Sequence, residues 1–190
     1  MGFRSTRRCA LSSRASKRVA DLVAFLARRR VALGGVTAIA AVVLSHPTWT
    51  SWAAGLAVAC AGEGVRVWAA GHLEKSREVT ASGPYRWMRH PLYVGSSILA
   101  LGVVVASRSY LLGGLAALYM GATMTAAIRT EEAFLRRTFG DAYDRYARDQ
   151  APGVARRFSL ERAVRNKEYR AVAGLAAGFA LLALRIRLHL

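Results

Sequence analysis

Charge in this chain is concentrated in three blocks, residues 1 to 30, 72 to 90 and 129 to 170, and long runs almost free of charge lie between them. Hydrophobic residues make up 54% of the sequence and charged residues 21%. A soluble domain interleaves the two classes along each element. Their separation here is the pattern of helices built to sit in lipid. The expected fold class is therefore all-α, a polytopic membrane helix bundle of four to five spans with cytoplasmic amphipathic helices.

The length of 190 residues allows one domain, or two small ones. The net charge of +17 raises nucleic acid as a partner. The basic residues flank apolar spans, however, and no aromatic-rich basic domain stands apart from them. Attraction to anionic headgroups accounts for them, so membrane lipids and no nucleic acid are the expected partners. The two cysteines, Cys9 and Cys60, show neither a disulfide framework nor metal-ligand spacing, and no metal is expected.

Four segments follow from the charge pattern. Residues 1–30 form a basic tail in which Val19, Leu22, Val23 and Leu26 make an apolar stripe on a helix suited to the membrane surface. A cleaved leader is a poorer description, because the charged region is long and no clear cleavage site follows the apolar run. Residues 31–71 read as a transmembrane hairpin. Its first span, Val31 to about Leu44, falls short of a ~30 Å hydrocarbon core and needs Arg28, Arg29 and Arg30 to snorkel. A tight turn with Trp49 and Trp52 as interfacial anchors leads into a second span, Trp52 to Gly71. Residues 72–170 hold two more spans, 91–106 and Tyr110 to Ile128, between polar blocks that form the candidate catalytic region. Residues 171–190 make a C-terminal hydrophobic helix, and Ala171 to Leu184 is short for a span.

The three polar blocks contain 9, 4 and 11 Lys or Arg, against 0 and 1 in the two opposite turns. The positive-inside rule puts the N-terminus and the catalytic loops in the cytoplasm, as for an integral protein of a cell (inner) membrane.

The stretch SGPYRWMRHPLYVGSS, residues 82 to 97, is unlike its surroundings. Gly83-Pro84 marks a turn. Pro91 suits the first turn of a helix, so His90 falls at the cap and Arg89 just outside. His90, Tyr93 and Ser97 then share one face, and Gly95 lets something approach the helix closely. The helix amino end carries partial positive charge and free N–H groups. With Arg86, Arg89 and His90 it makes a socket for an anionic group. A basic loop touching lipid phosphates is the plainer reading of the same residues.

A second constellation, RTEEAFLRRTFGDAYDRYARD, spans residues 129 to 149. It reads as a helix leaving the membrane in continuation of the fourth span, stopped at Gly140 and restarted at Asp141. Glu131 and Glu132 fall at the exit, and Tyr143 and Tyr146 share a face. Glu132 and Arg136 could simply pair at i, i+4. The alternative is that one or both carboxylates face the socket of residues 83 to 97.

Together the two motifs resemble the isoprenylcysteine carboxyl methyltransferase and phospholipid methyltransferase superfamily, over about residues 55 to 150. Gly83, Pro84, Tyr85, Arg86, Arg89, His90, Pro91, Tyr93 and Gly95 match its first pattern. Glu131, Glu132, Leu135, Phe139, Gly140, Tyr143 and Tyr146 match its second. The resemblance implies a multi-span enzyme that uses S-adenosylmethionine as cofactor, with His90, Tyr93 and the Glu131-Glu132 pair helping to hold it. Gly62-Glu63-Gly64 is similar to a cofactor element of the phospholipid enzymes, though close helix packing needs the same residues.

The chemistry of that cofactor suits the residues. Arg89 and the helix amino end can take its carboxylate, Glu131 or Glu132 its ammonium or ribose hydroxyls, and the faces of Tyr93 or Tyr143 its cationic end. Tyr85 and Gly95 belong to the same cofactor-binding set. His90, Glu132 and Arg129 are the catalytic candidates. A carboxylate acceptor needs only orientation, whereas an amine, thiol or phenol needs a proton acceptor. Arg129 could read a substrate carboxylate or merely snorkel. Glu63 and Arg66, inside the second span, either glue helices or line the substrate route.

The expected function is a membrane-embedded methyltransferase acting on a lipophilic small molecule or lipid, with a carboxylate of the isoprenylcysteine type among the candidates. A membrane NADPH-dependent reductase of the steroid-reductase type and a non-enzymatic lipid-binding membrane protein are the alternatives. The sequence leaves the oligomeric state open.

Overall fold

The computed structural model describes residues 43–150 and 155–188. The expected interfacial helix of residues 1–30 and almost all of the first span lie outside those residues. Every regular element described is helical: α1 (Trp49–His72), a 3-10 turn (Gly83–Arg86), α2 (Pro91–Ser107), α3 (Tyr110–Phe139), α4 (Asp141–Ala147), α5 (Leu160–Arg165) and α6 (Tyr169–Arg187).

Local sequence fixes most helix ends. Thr48 and Ser51 form a reciprocal capping box at the start of α1, satisfying two N–H groups that have no helical partner. Pro91 opens α2 with His90 as its cap residue, as the spacing predicts. Arg108 closes α2 in the left-handed region at φ 51. Gly140, at φ 48, ends α3 and starts α4.

The closest packing is between α1 and α2, and glycine makes it possible. A Cβ on Gly62 would lie 2.5 Å from the Leu99 nitrogen, and one on Gly102 would lie 2.5 Å from the Ala59 nitrogen. The two backbones therefore touch, which is how helices associate where lipid removes any hydrophobic drive. Gly62 of the Gly62-Glu63-Gly64 motif is spent on this seam, while a Cβ on Gly64 would meet nothing within 4 Å among the described residues. At the end of the bundle away from the basic loops, the Ser51 hydroxyl donates to the Ala106 carbonyl at 3.1 Å. There the Trp52 indole donates to the Phe179 carbonyl of α6 at 2.8 Å.

Two helices are long and apolar enough to cross a membrane, α3 and α6; α2 is apolar but shorter. Among the described residues these two and the shorter α2 are the candidate spans, and the first span expected from sequence lies almost wholly outside those residues. Helix α1 runs unbroken over 24 residues and carries the ion pair of Glu63 and Arg66 within its apolar run. The C-terminal apolar stretch is longer than expected: α6 has 19 residues and takes in Arg185 and Arg187, long side chains that can reach an interface. Helix α3 has 30 residues, about 45 Å at about 1.5 Å each, so it runs on beyond a ~30 Å core as one rod.

At the basic end, α5 clasps the last turn of α1, whose carbonyls have no helical partners. Asn166 Nδ2 donates to the carbonyls of Ala70 and Leu73, both at 2.9 Å. Arg162 donates to Gly71 O at 2.6 Å and to Glu74 Oε1 at 2.8 Å. His72, which the sequence suggests is an ordinary loop charge, is instead 5% exposed. Its ring packs on Trp68 and Phe158, and its Nδ1 lies 3.3 Å from the Ser82 hydroxyl.

Candidate functional site

The two motif segments meet at the basic end of the bundle. His90 Nε2 lies 3.2 Å from Glu132 Oε1, and an Arg89 guanidinium nitrogen lies 3.6 Å from the same oxygen. Glu132 therefore closes across from α3 to the start of α2 rather than pairing with Arg136, which instead faces Asp144 of α4 at 3.5 Å. A second tie runs from α4: the Tyr146 hydroxyl donates to the Tyr85 carbonyl at 2.8 Å. Ala81, Tyr143 and Tyr146 form a small apolar cluster there, with Val79, Leu135 and Phe139 packed against it.

Beneath these ties lies a cavity of about 860 Å³. Of the residues expected to bind a cofactor, Tyr85, Arg89, His90, Tyr93, Glu131 and Tyr143 line it. Glu132 braces its rim through His90 and Arg89. Gly95 does not line it. That position faces α1, where a Cβ would lie 2.7 Å from the Gly62 carbonyl and 2.6 Å from Arg66 Cγ. The close approach expected at Gly95 is thus that of a neighbouring helix. Arg129 is exposed and likewise stands outside the cavity wall.

Burial sets the protonation of the tyrosines. It holds the Tyr85 phenol well above its ordinary value, with the Glu131 carboxylate adding to the effect. It pushes Tyr146 up to about 12. Burial, then the nearby Glu132 carboxylate, also raises Tyr143. All three are neutral hydrogen-bond donors near pH 7. Among the described residues the Tyr143 hydroxyl, buried in the cavity wall, has no hydrogen-bond partner, a donor held out of water.

Several wall residues escape a motif search. Tyr119, Thr123, Ala127, Thr130 and Phe134 line the cavity from α3. Their three- and four-residue spacing marks one helix face, and Thr123 on the apolar span was the available signal. Glu74 and Glu78 also line it, and each is held by an arginine of the 156–165 segment: Arg162 at 2.8 Å and Arg156 at 2.6 Å. Nothing in the local sequence announces those long-range pairs. Glu63 and Arg66, 3.4 Å apart, are joined by Glu168 at 2.6 Å from Arg66, so the expected pair is a triad.

This geometry coincides with a family assignment. Residues 36–142 match the phospholipid methyltransferase family, and the chain belongs to it. Among curated relatives, the chain is 33% identical to the nickel-cobalt-cadmium resistance protein NccN of Alcaligenes xylosoxydans xylosoxydans over 153 residues, 74% of this chain and 71% of that one. It is 31% identical to the cobalt-zinc-cadmium resistance protein CzcN of Cupriavidus metallidurans over 150 residues, 73% of this chain and 68% of that one. It is also 34% identical to the protein-S-isoprenylcysteine O-methyltransferase of Schizosaccharomyces pombe over 80 residues, 42% of this chain and 34% of that one. No solved structure matches. The family and the methyltransferase relative, with the apolar helices, support a membrane methyltransferase.

Proposed function

We propose that the chain transfers a methyl group from S-adenosylmethionine to a lipophilic acceptor, with the donor held in the cavity under the basic loops. The observation that carries this is the closure of Glu132 of α3 onto His90 and Arg89 at the mouth of α2, over one cavity lined from both motif segments. The walls suit a zwitterionic cofactor. Arg89 and the amino end of α2 offer cationic and N–H partners for its carboxylate. Glu131 offers a partner for its ammonium. The faces of Tyr93 and Phe134 suit the cationic sulfur. The unpartnered Tyr143 hydroxyl is a donor for a ring nitrogen or a ribose oxygen.

Once bound, the cofactor would supply an activated methyl group: as the acceptor's lone pair forms the new bond to carbon, the carbon–sulfur bond breaks and its electrons neutralise the sulfonium. The chain's work is then to align the two partners and exclude water. His90, bonded to Glu132, is placed to accept a proton from an acceptor that carries one. An ionised carboxylate acceptor needs no such step. Arg86, Arg136, Arg137, Arg145 and Arg148 give the surrounding surface the charge of a cytoplasmic, headgroup-facing side. The names of the two bacterial relatives describe a resistance of those proteins and specify no acceptor.

The test is calorimetric titration of the full chain in lipid nanodiscs with S-adenosylmethionine and, separately, NADPH, followed by transfer of a labelled methyl group into a membrane lipid extract. Binding of the first ligand alone, with label entering the lipid phase, is expected. Binding of NADPH alone would replace this reading with the reductase.

A further inference from the structure

We infer that a second cavity, at the end of the bundle away from the basic loops, binds an anion through its phosphate group, with His46, Arg185 and Arg187 as the cationic partners. The site does not depend on the methyl-transfer reading. It shares no lining residue with the donor cavity and stands at the other end of α1. Its volume is about 740 Å³. Residues 46–49 line it from the start of α1, and Arg185, Ile186 and Arg187 line it from the last turn of α6.

The frame of this cavity is fixed from both sides. The His46 N–H donates to the Ser107 carbonyl at 2.8 Å and holds the segment before α1 against the end of α2. Ser45, beside it, is fully buried. The bond from the Trp52 indole to the Phe179 carbonyl joins the start of α1 to α6. Trp49 meets Trp52 edge to face with ring centres 6.0 Å apart, and half of it stays exposed. Its ring is an aromatic wall of the kind found where hydrocarbon gives way to headgroups.

Charge decides what the cavity suits. The ionisable residues that line it are all basic. Arg108, in the turn between α2 and α3, adds positive charge at the same end. Local sequence supplies acid only at a distance. Glu63, the first carboxylate of α1, lies about 21 Å beyond Trp49, and Glu168 lies about 26 Å before Arg185, at about 1.5 Å per residue. The positive-inside pattern disfavours arginine at the end opposite the basic blocks. Snorkelling accounts for two arginines at the end of a span, but not for their convergence with His46 and Trp49 of another segment on one cavity. A guanidinium fork matches the oxygens of a phosphate, and the volume admits a polar headgroup. A phosphate held between α6 and the segment before α1 would clamp the two together. An anionic lipid of the leaflet away from the basic loops and free inorganic phosphate both carry that group.

The experiment is native mass spectrometry of the full chain in non-ionic detergent, titrated with dioleoyl phosphatidylglycerol, dioleoyl phosphatidylcholine or inorganic phosphate. A saturable first site for phosphatidylglycerol or for inorganic phosphate is expected, with phosphatidylcholine binding about tenfold more weakly or not at all. The double variant Arg185→Gln/Arg187→Gln should weaken that first site about tenfold. Arg145→Gln/Arg148→Gln removes the same charge from exposed positions at the basic end and should leave it unchanged. Arg187→Gln alone, at an exposed position, should give part of the loss and guards against a folding defect in the double variant. Displacement of phosphatidylglycerol by millimolar inorganic phosphate would name the free anion as occupant, and its failure to displace would name the lipid. Equal weakening in both double variants, no weakening in Arg185→Gln/Arg187→Gln, or no saturable binding of either anion would overturn the inference. So would binding that appears only once residues 1–42 are removed, because the chain itself would then occupy the cavity.

Discussion

The seam between α1 and α2 and the walls of the donor cavity are held by opposite means. The seam is backbone against backbone, with glycines and alanines removing every obstacle. The cavity walls meet through a few polar ties between elements packed far less closely than the seam: Glu132 to His90, Tyr146 to Tyr85, Arg162 to Glu74. Packing of the first kind fixes distance and leaves no freedom. Polar ties of the second kind fix an arrangement that water, acid or a ligand can compete for. The socket that starts at Pro91 thus rides on the rigid pair, and α3 and α4 close on it from a more yielding side.

The contrast can be broken at its polar side first. Glu132→Ala removes the acceptor shared by His90 and Arg89 and should lower methyl transfer about 100-fold, the scale of a misplaced reacting geometry. Its helical circular dichroism should match the parent, because no seam contact is lost. A variant that retains most of its turnover would show that the closure is not what organises the site.

Gly62→Ala tests the other side. The new Cβ would lie 2.5 Å from the Leu99 nitrogen, and the seam has no slack to yield. A cost of about 1–3 kcal/mol is expected, read as a fall in the thermal midpoint in detergent. Gly64→Ala, which points into open space, should melt like the parent and serves as the comparison.

Acid gives the smallest effect. The hydrogen bond from Arg162 holds the Glu74 carboxyl below its ordinary value of 4.5. A carboxylate depressed in the folded state stabilises it above the unfolded value, and that contribution fades as pH falls below 4.5 and through the folded value. Melting curves should therefore show an acid-side loss that is smaller in Arg162→Ala, where Arg165 still faces Glu74 at 3.2 Å. The seam contacts at Gly55, Gly62 and Gly102, which involve no titratable group, should not contribute to it.

What the sequence made legible divides along the same line. Helix boundaries were readable because their causes are local: Pro91 after His90, Gly140 before Asp141, and a charge-free run for α3. The meeting of the two motif segments was readable because they carry complementary charges, Arg89 and His90 on one and Glu132 on the other. Gly95 was readable only as a close approach, and periodicity could not say whether a ligand or another helix makes it. Glu132 was open between a local partner, Arg136, and a distant one, and the rotation of α3 against α2 decided for the distant one. Glu168, Arg156 and Arg162 carried no signal at all. Their partners lie on α1 or just after it, and ties over such separations follow from tertiary placement alone.

Position 83 has a consequence of its own. Gly83 sits at φ 55, and a Cβ there would lie 2.5 Å from the His72 ring. Handedness and crowding veto a side chain independently. Shrinking residue 72 lifts only one of them. An engineer diversifying the loop could vary everything around this pivot and would still have to inherit its glycine, and any library that randomises 83 alone should return glycine at that codon.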